Sequence, residues 1–386
     1  MNYERRSNFI YADNAATTRI GPEALRAMTA AYEDAFANPS SSHTPGQRAA
    51  KLLWTSRERI ASLIGATAGE ITFTSGGTEA DNLAIFSAAA GEKKHILSTS
   101  IEHHAVLRPL ARLRPEGFEI ELLPVGSAGI VDLEDVRRAI RPDTALVSVM
   151  FANNEIGTVQ PVREIGEICR AAGVPFHTDA VQAVGRLPID VREMNIDLLS
   201  ASAHKFHGPR GAGFLYVRRG TELRPLLVGG AQERGKRAGT ENLPGIAGMA
   251  AALEETAASM TENNARLSAL RDRIVGGILS AVPRSSLNGD GARRLANNIN
   301  IMIEDANAEA MILLLDDAGI AVSSGAACAS GAGELSHVLT AIGLPEEKAR
   351  CCLRITPGED LTEAQAAYIV AAVARAAFRI RASNSE

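Results

Sequence analysis

The chain has 386 residues, is 46% hydrophobic and 22% charged, and carries a net charge of -5. That length fits a large and a small domain, and interspersed acids and bases exclude the basic footprint of a nucleic-acid binder. No apolar run approaches the ~20 residues that cross a bilayer, the start M-N-Y-E-R-R-S-N-F-I lacks a signal-peptide core, and four cysteines do not make a disulfide framework, so the expectation is a cytoplasmic protein with free thiols and no membrane or nucleic-acid partner.

Apolar runs alternate with helical patterns through the first two thirds of the chain. Strands are predicted at 71–74, 95–99, 120–124, 145–151, 174–178, 198–201 and 213–217, with helices such as 79–90, 133–140 and 162–172 between them. The strands are too apolar for one-sided exposure. The alternation therefore predicts an α/β fold with a mainly parallel seven-stranded sheet, covered by helices on both faces. The run at 213–217 follows 198–201 by a Gly/Pro loop too short for a helical crossover, so it should run antiparallel. After about Gly245 the pattern changes. A long helix is predicted over 246–281, with Thr261-Glu-Asn-Asn as a candidate break, then a strand at 298–303 and a helix at 308–317 closed by Gly319. Strands follow at 320–323 and 351–356, and Thr362 with Gln365 fits a capping box opening the last helix. The expected division is a large domain over 21–255, a smaller α+β domain over 256–386, and an N-terminal segment 1–20 that joins the small one.

Lys205 lies in S-A-H-K-F-H-G-P-R-G, where an apolar strand breaks into Gly and Pro. That puts an amine at the rim of the sheet, where α/β proteins bind ligands. Such an amine can condense with a carbonyl, as the lysine of a pyridoxal-phosphate enzyme does; a solvated surface lysine is the alternative. T-S-G-G-T-E-A-D-N at 74–82 follows a strand and opens a helix. Gly76 and Gly77 admit close approach, and the helix-start N–H groups with Ser75 and Thr78 make an anion cradle; an ordinary glycine turn is the alternative. The segment is neither a Walker A loop nor G-x-G-x-x-G, so a nucleotide is not expected.

In H-T-D-A-V-Q at 177–182, Asp179 leaves a buried strand and needs a partner. A protonated pyridine nitrogen would serve, as would a structural ion pair or a helix cap. His103 and His104 follow the strand ending near Thr99. His103 could stack on a ring and move protons near neutral pH, whereas His104 is expected to face solvent. N-N-E-I-G at 153–157 places amides at a strand end, for orienting a ligand or for a turn. S-S-G-A-A-C-A-S-G-A-G at 323–333 has no apolar periodicity and reads as a mobile loop. Its Cys328 is a candidate nucleophile, or a small residue in a glycine-rich turn. Cys169 reads as a helix residue. Cys351 and Cys352 read as strand residues at least half buried, and their adjacency does not fit metal-ligand spacing, so no metal site is expected.

Together these motifs resemble the cysteine desulfurases of the NifS/IscS type, pyridoxal-phosphate enzymes of the class-V aminotransferase group within fold type I. The resemblance runs from Y-A-D-N-A-A-T-T at 11–18 to about Gly358, and takes in N-P-S-S-S-H at 38–43 and E-R-G-K-R-A-G-T-E-N at 233–242. It implies pyridoxal 5'-phosphate joined to Lys205, paired through its ring nitrogen with Asp179 and stacked on by His103. Gln182 and Asn154 would lie near the ring hydroxyl, and Gly77, Thr78, Ser202 and His204 would hold the phosphate region. Thr240 would reach the cofactor phosphate of the other subunit, which implies a homodimer. Arg354, in C-L-R-I-T-P-G, would bind the substrate carboxylate together with Asn154, a task suited to a bidentate guanidinium.

The activity implied is removal of sulfur from L-cysteine, giving L-alanine and a persulfide on Cys328, for iron–sulfur cluster assembly. The partners implied are L-cysteine, a second subunit and a sulfur acceptor such as an iron–sulfur scaffold protein, with a transient contact between Cys328 and a cluster. G-T-E-N and H-T-D-A-V-Q sit nearer the NifS branch, which serves nitrogenase in nitrogen fixation. The chain departs from the pattern after Arg354, where I-T-P-G replaces a Ser-Leu-Gly type ending, and in a short C-terminus that bears on scaffold docking. A class-V aminotransferase or a selenocysteine lyase would need Lys205 and Asp179 equally, but no thiol on a loop. A non-catalytic sulfur carrier would not need the whole set.

Overall fold

A computed structural model describes residues 9–324 and 335–384. The chain opens with β1 (Ile10–Tyr11), α1 (Pro22–Asp34) and α2 (Thr44–Leu63). Alternation then runs through β2 (Ile71–Thr74), α3 (Gly77–Ala89), β3 (His95–Thr99), α4 (His104–Leu113), β4 (Glu119–Leu123) and α5 (Leu133–Ala139). It continues with β5 (Thr144–Ser148), α6 (Val162–Ala172), β6 (Phe176–Asp179), β7 (Leu198–Ser202) and β8 (Gly213–Val217). The remainder is α7 (Leu243–Ala281), β9 (Ser285–Leu287), β10 (Ile299–Ile303), α8 (Ala308–Asp317), β11 (Ile320–Ala321), α9 (His337–Ala341), α10 (Glu346–Ala349), β12 (Cys352–Ile355) and α11 (Glu363–Ser383).

The seven-stranded sheet has the order β2-β8-β7-β6-β5-β3-β4. Only β8 runs antiparallel, to β2 on one side and β7 on the other. The short loop after Ser202 forces this, and the register pairs Ser202 with Gly213 and Leu198 with Val217. Strands β2, β3 and β5 through β8 are buried along their whole length. That is why they read as continuous apolar runs rather than as alternation. Successive residues serve opposite faces: Leu199 joins the core with Ile60 of α2, Ile165 of α6 and Met249 of α7. Leu198 joins the opposite core with Leu83 of α3 and Val106 of α4.

A second sheet, β12-β10-β9, is antiparallel. It packs with Ile274 and Ile278 of α7, Met311 of α8, and Ile369 and Val373 of α11. The capping box read at Thr362 and Gln365 opens α11. Strand β1 belongs to this part of the molecule, because Ile10 pairs in parallel with Ile320 of β11.

The candidate break at Thr261 does not occur; α7 runs unbroken for 39 residues. Asparagines weaken helices by bonding their own backbone. Here the Asn264 amide donates instead to Arg186 O at 2.6 Å. That of Asn263 donates to Ser259 Oγ and Glu359 Oε2. The boundary expected at 255/256 falls within this helix.

Candidate active site

The C-terminal ends of β3, β5, β6 and β7 open onto a cavity of about 830 Å3, the expected ligand position in an open parallel sheet. Each element delivers its residues by where it stops. Gly77 and Thr78 enter the cavity from the start of α3, His103 from the turn before α4, and Asn154 from the turn after β5. Asp179 ends β6 and Gln182 follows it, Ser202 ends β7 and His204 and Lys205 follow it, and Arg354 arrives from β12 of the second sheet. Thr240 lies on the exposed surface and does not line this cavity. Cys328 lies outside the described residues.

The N-terminal motif Y-A-D-N-A-A-T-T supplies the wall that joins the two sheets. Lys205 Nζ donates to Ala15 O at 2.6 Å and to Ala16 O at 2.8 Å. Gln182 Nε2 donates to the same Ala15 O at 3.0 Å, and His204 Nδ1 meets Thr17 Oγ1 at 3.1 Å. Asp13 Oδ1 accepts from Arg354 Nη2 at 2.9 Å, while Arg354 Nη1 donates to Asn154 O at 3.2 Å.

Asp179 is 5% exposed, and its Oδ1 accepts from Val181 N at 3.0 Å. Burial first, and then the charge of Asp81, push its carboxyl up to about 6. Asp81 itself is pushed up to about 7 by burial. Its Oδ1 lies 3.5 Å from His177 Nε2. Glu102 is pushed up to about 8 by burial, against hydrogen bonds from Thr99 and Met150 N. Its Oε2 has no hydrogen-bond partner among the described residues. His103 caps α4, its Nδ1 accepting from Ala105 N at 3.0 Å, and burial lowers its pKa. His204 is held down to about 4 by burial and by the nearby Lys205 and Arg210.

The family described as Aminotransferase class-V matches residues 10–357. The chain belongs to this family. It is 49% identical to a protein named Cysteine desulfurase IscS from Methanosarcina thermophila, over 92% of this chain and 89% of that one. Among solved structures it superposes on a NifS-like protein with a TM-score of 0.90, at 35% identity, covering 95% of this chain and 99% of that one. A structure described as SspA in complex with cysteine gives 0.80 at 38% identity, covering 90% of this chain and 98% of that one. The family and fold type expected from the motifs are thus the ones found.

Class-V enzymes of this kind use pyridoxal phosphate, and the residues present fit that group. Burial penalises the charge on Asp179, and a ring cation beside it would favour the ionised carboxylate. At the other end, a Cβ on Gly77 would lie 2.5 Å from Val181 Cγ2, so only glycine leaves this approach to the α3 N-terminus open. The N–H groups of that helix start suit a phosphate.

The class-V site also holds residues that the motifs did not reveal. His104, expected in solvent, lines the cavity and packs its ring 4.8 Å from that of His337. The ring lies under a neighbour from α9 that sequence distance concealed. Glu155 is buried and accepts from Ser336 Oγ at 2.5 Å. Asp81 had a readable signal, since it follows Gly77 and Thr78 by one helical turn. Glu102 had one too, as an acid between a buried strand and His103. Arg237 binds Glu79 at 2.8 Å, and Arg57 binds the buried Glu233 at 2.6 Å; together they fasten the 233–242 motif beside the cavity.

Proposed function

We propose that this chain is a pyridoxal-phosphate-dependent cysteine desulfurase that moves sulfur from L-cysteine to Cys328. The observation that carries the reading is the convergence of Lys205, Asp179, His103 and Arg354 on one cavity, in a chain 49% identical to a cysteine desulfurase. When bound, the cofactor supplies an electron sink that acidifies the α-carbon of an amino acid and weakens the bond between the β-carbon and sulfur. Lys205 Nζ would hold the cofactor until the substrate amine takes its place, and the freed amine would be the base for the α-proton. Asp179 would keep the ring nitrogen protonated, and Gly77, Thr78, Ser202 and His204 would bind the phosphate region. Gln182 and Asn154 orient the ring hydroxyl. Arg354, with Asn154, binds the substrate carboxylate.

Burial lowers the pKa of His103 and so favours its neutral form, which can take the substrate thiol proton. The Cys328 thiolate attacks the substrate sulfur. The new sulfur–sulfur bond forms as the carbon–sulfur bond breaks, and the electron pair stays with the carbon. Protonation of that carbon gives L-alanine. The balance is L-cysteine plus enzyme thiol to L-alanine plus enzyme persulfide.

The 21–255 and 256–386 units, with 1–20 joined to the latter, work as cofactor holder and substrate-carboxylate holder. Two copies form the enzyme. Val228 is 84% exposed on the loop whose Leu227 O accepts from Ala238 N, two residues before exposed Thr240. An apolar tip next to a phosphate-binding threonine suits a twofold interface in which Thr240 serves the neighbouring site. The persulfide then passes to an iron–sulfur scaffold protein. Among the described residues no helix is long and apolar enough to cross a membrane, in keeping with a cytoplasmic enzyme.

The visible spectrum of the purified protein before and after L-cysteine, with alanine and sulfide measured, tests the reaction. Lys205→Ala should lose the cofactor band and all turnover. Cys328→Ala should keep the band and lose persulfide. Sulfide release by Cys328→Ala at the parent rate, or keto-acid formation in place of alanine, would refute the reading.

A further inference from the structure

Arg354 is 2% exposed, and its guanidinium is held at two nitrogens, by Asp13 Oδ1 at 2.9 Å and by Asn154 O at 3.2 Å. Its backbone is fixed as well, exchanging hydrogen bonds with Ser323 at 2.7 and 3.1 Å. An arginine side chain has many rotamers to lose on being ordered, so a carboxylate site built on one gains from a partner that sets its plane in advance. Asp13 is suited to do this because its own backbone is pinned on both sides. Ala12 N donates to Ala321 O at 2.9 Å, Asn14 N donates to Thr356 O at 3.0 Å, and Thr356 N donates to Ala12 O at 2.7 Å. Two and three residues further on, Ala15 O and Ala16 O accept from Lys205 Nζ. One short stretch of chain thus touches both the amine that meets the cofactor and the guanidinium that meets the carboxylate.

We propose that Asp13 is a positioning residue for the substrate α-carboxylate, acting through Arg354, and that residues 13–16 set the separation between the amine and carboxylate ends of the amino acid. This rests on the reading above that Arg354 binds that carboxylate. The proposal adds Asp13 to the site as a residue that need not touch substrate.

The test compares two ligands on the cofactor-loaded protein, each titrated by its change in visible absorbance. L-Alanine carries the carboxylate, and cysteamine lacks it. Asp13→Ala should raise the Kd for L-alanine about tenfold or more, the size expected for losing a hydrogen bond to a charged group, and leave that for cysteamine in place. KM for L-cysteine should rise in parallel while kcat is held. Asp13→Asn, whose carbonyl oxygen still accepts from Arg354 Nη2, should restore most of the loss. Equal losses for the two amines, or an Asp13→Asn protein no better than Asp13→Ala, overturn the proposal. A parent protein that shows this selectivity but makes no alanine from cysteine refutes the desulfurase reading and leaves the role of Asp13 standing.

Discussion

Asp81 and Asp179 line the cavity that also holds Lys205 and His103; with Glu102, next to His103 in the chain, they are three carboxylates with almost no access to water. Burial raises all three, to about 7, 6 and 8. Each therefore holds its proton more tightly folded than unfolded. Its contribution to stability is complete below the unfolded pKa and is lost as pH rises through the folded one. His177 and His204 are held down to about 4. Theirs is the opposite case, a contribution present above the unfolded value and lost as pH falls. Between pH 6.5 and 8 the unfolded imidazoles lose the last of their charge, a small gain for the fold that the loss at Asp81 and Glu102, whose folded values of about 7 and 8 span this window, outweighs. The cofactor-free protein should thus melt at a lower temperature near pH 8 than near pH 6.5. Asp81→Asn should shrink that difference; melting curves at the two pH values decide it, and an undiminished difference would clear Asp81 of the effect. A ring cation beside Asp179 should offset the penalty at that residue. Asp179→Asn should accordingly raise the Kd of the cofactor at least about tenfold, since the pairing is then lost in a buried site. Fluorescence titration measures it.

Elements position these groups through close backbone contacts. A Cβ on Gly213 would lie 2.6 Å from Ala201 O and 2.6 Å from Gly76 Cα. Backbone on both sides cannot step aside, so Gly213→Ala should cost about 1–3 kcal/mol in urea unfolding and weaken cofactor binding by shifting the turn before α3. Of the two ion pairs that fasten the 233–242 motif, Arg57–Glu233 is the buried one. Glu233→Ala strands Arg57 in the core, where loss of one partner costs about 3–5 kcal/mol. The same unfolding experiment checks this, and a cost below ~1 kcal/mol would show the pair to be dispensable.

Elements were also the most legible level. The strand at 213–217, the helices at 162–172 and 308–317 and the capping box at Thr362 could be read because each is fixed by neighbouring residues. The unbroken course of α7 could not, because Asn263 and Asn264 are satisfied by Glu359 and Arg186, partners remote in sequence. The site divides in the same way. Lys205, Asp179 and Gly77 announce themselves at strand and helix ends. Asp13 and His337 matter through Arg354 and His104, and nothing in their own surroundings says so.

At the scale of the whole molecule, the exposed Val228 and Thr240 predict that the protein sediments at twice its chain mass of 40.7 kDa. Val228→Asp should shift it toward the single chain and lower cofactor occupancy together, as expected if each site borrows a threonine from its neighbour. A dimer of undiminished strength in that variant would move the interface elsewhere.

The segment from Ile10 to Thr18 has a consequence for how the enzyme comes into being. Besides Gln182, His204 and Lys205, its partners are Ile320, Ala321, Arg354 and Thr356, which leave the ribosome more than three hundred residues later. Contacts so distant along the chain close slowly, because the intervening loop must first be ordered. The wall behind Lys205 is therefore among the last parts to form. A nascent chain that has not yet reached Arg354 holds Asp13 without its partner. Completion of the site thus requires residues 10–18 to meet residues 320–356 across almost the whole length of the chain.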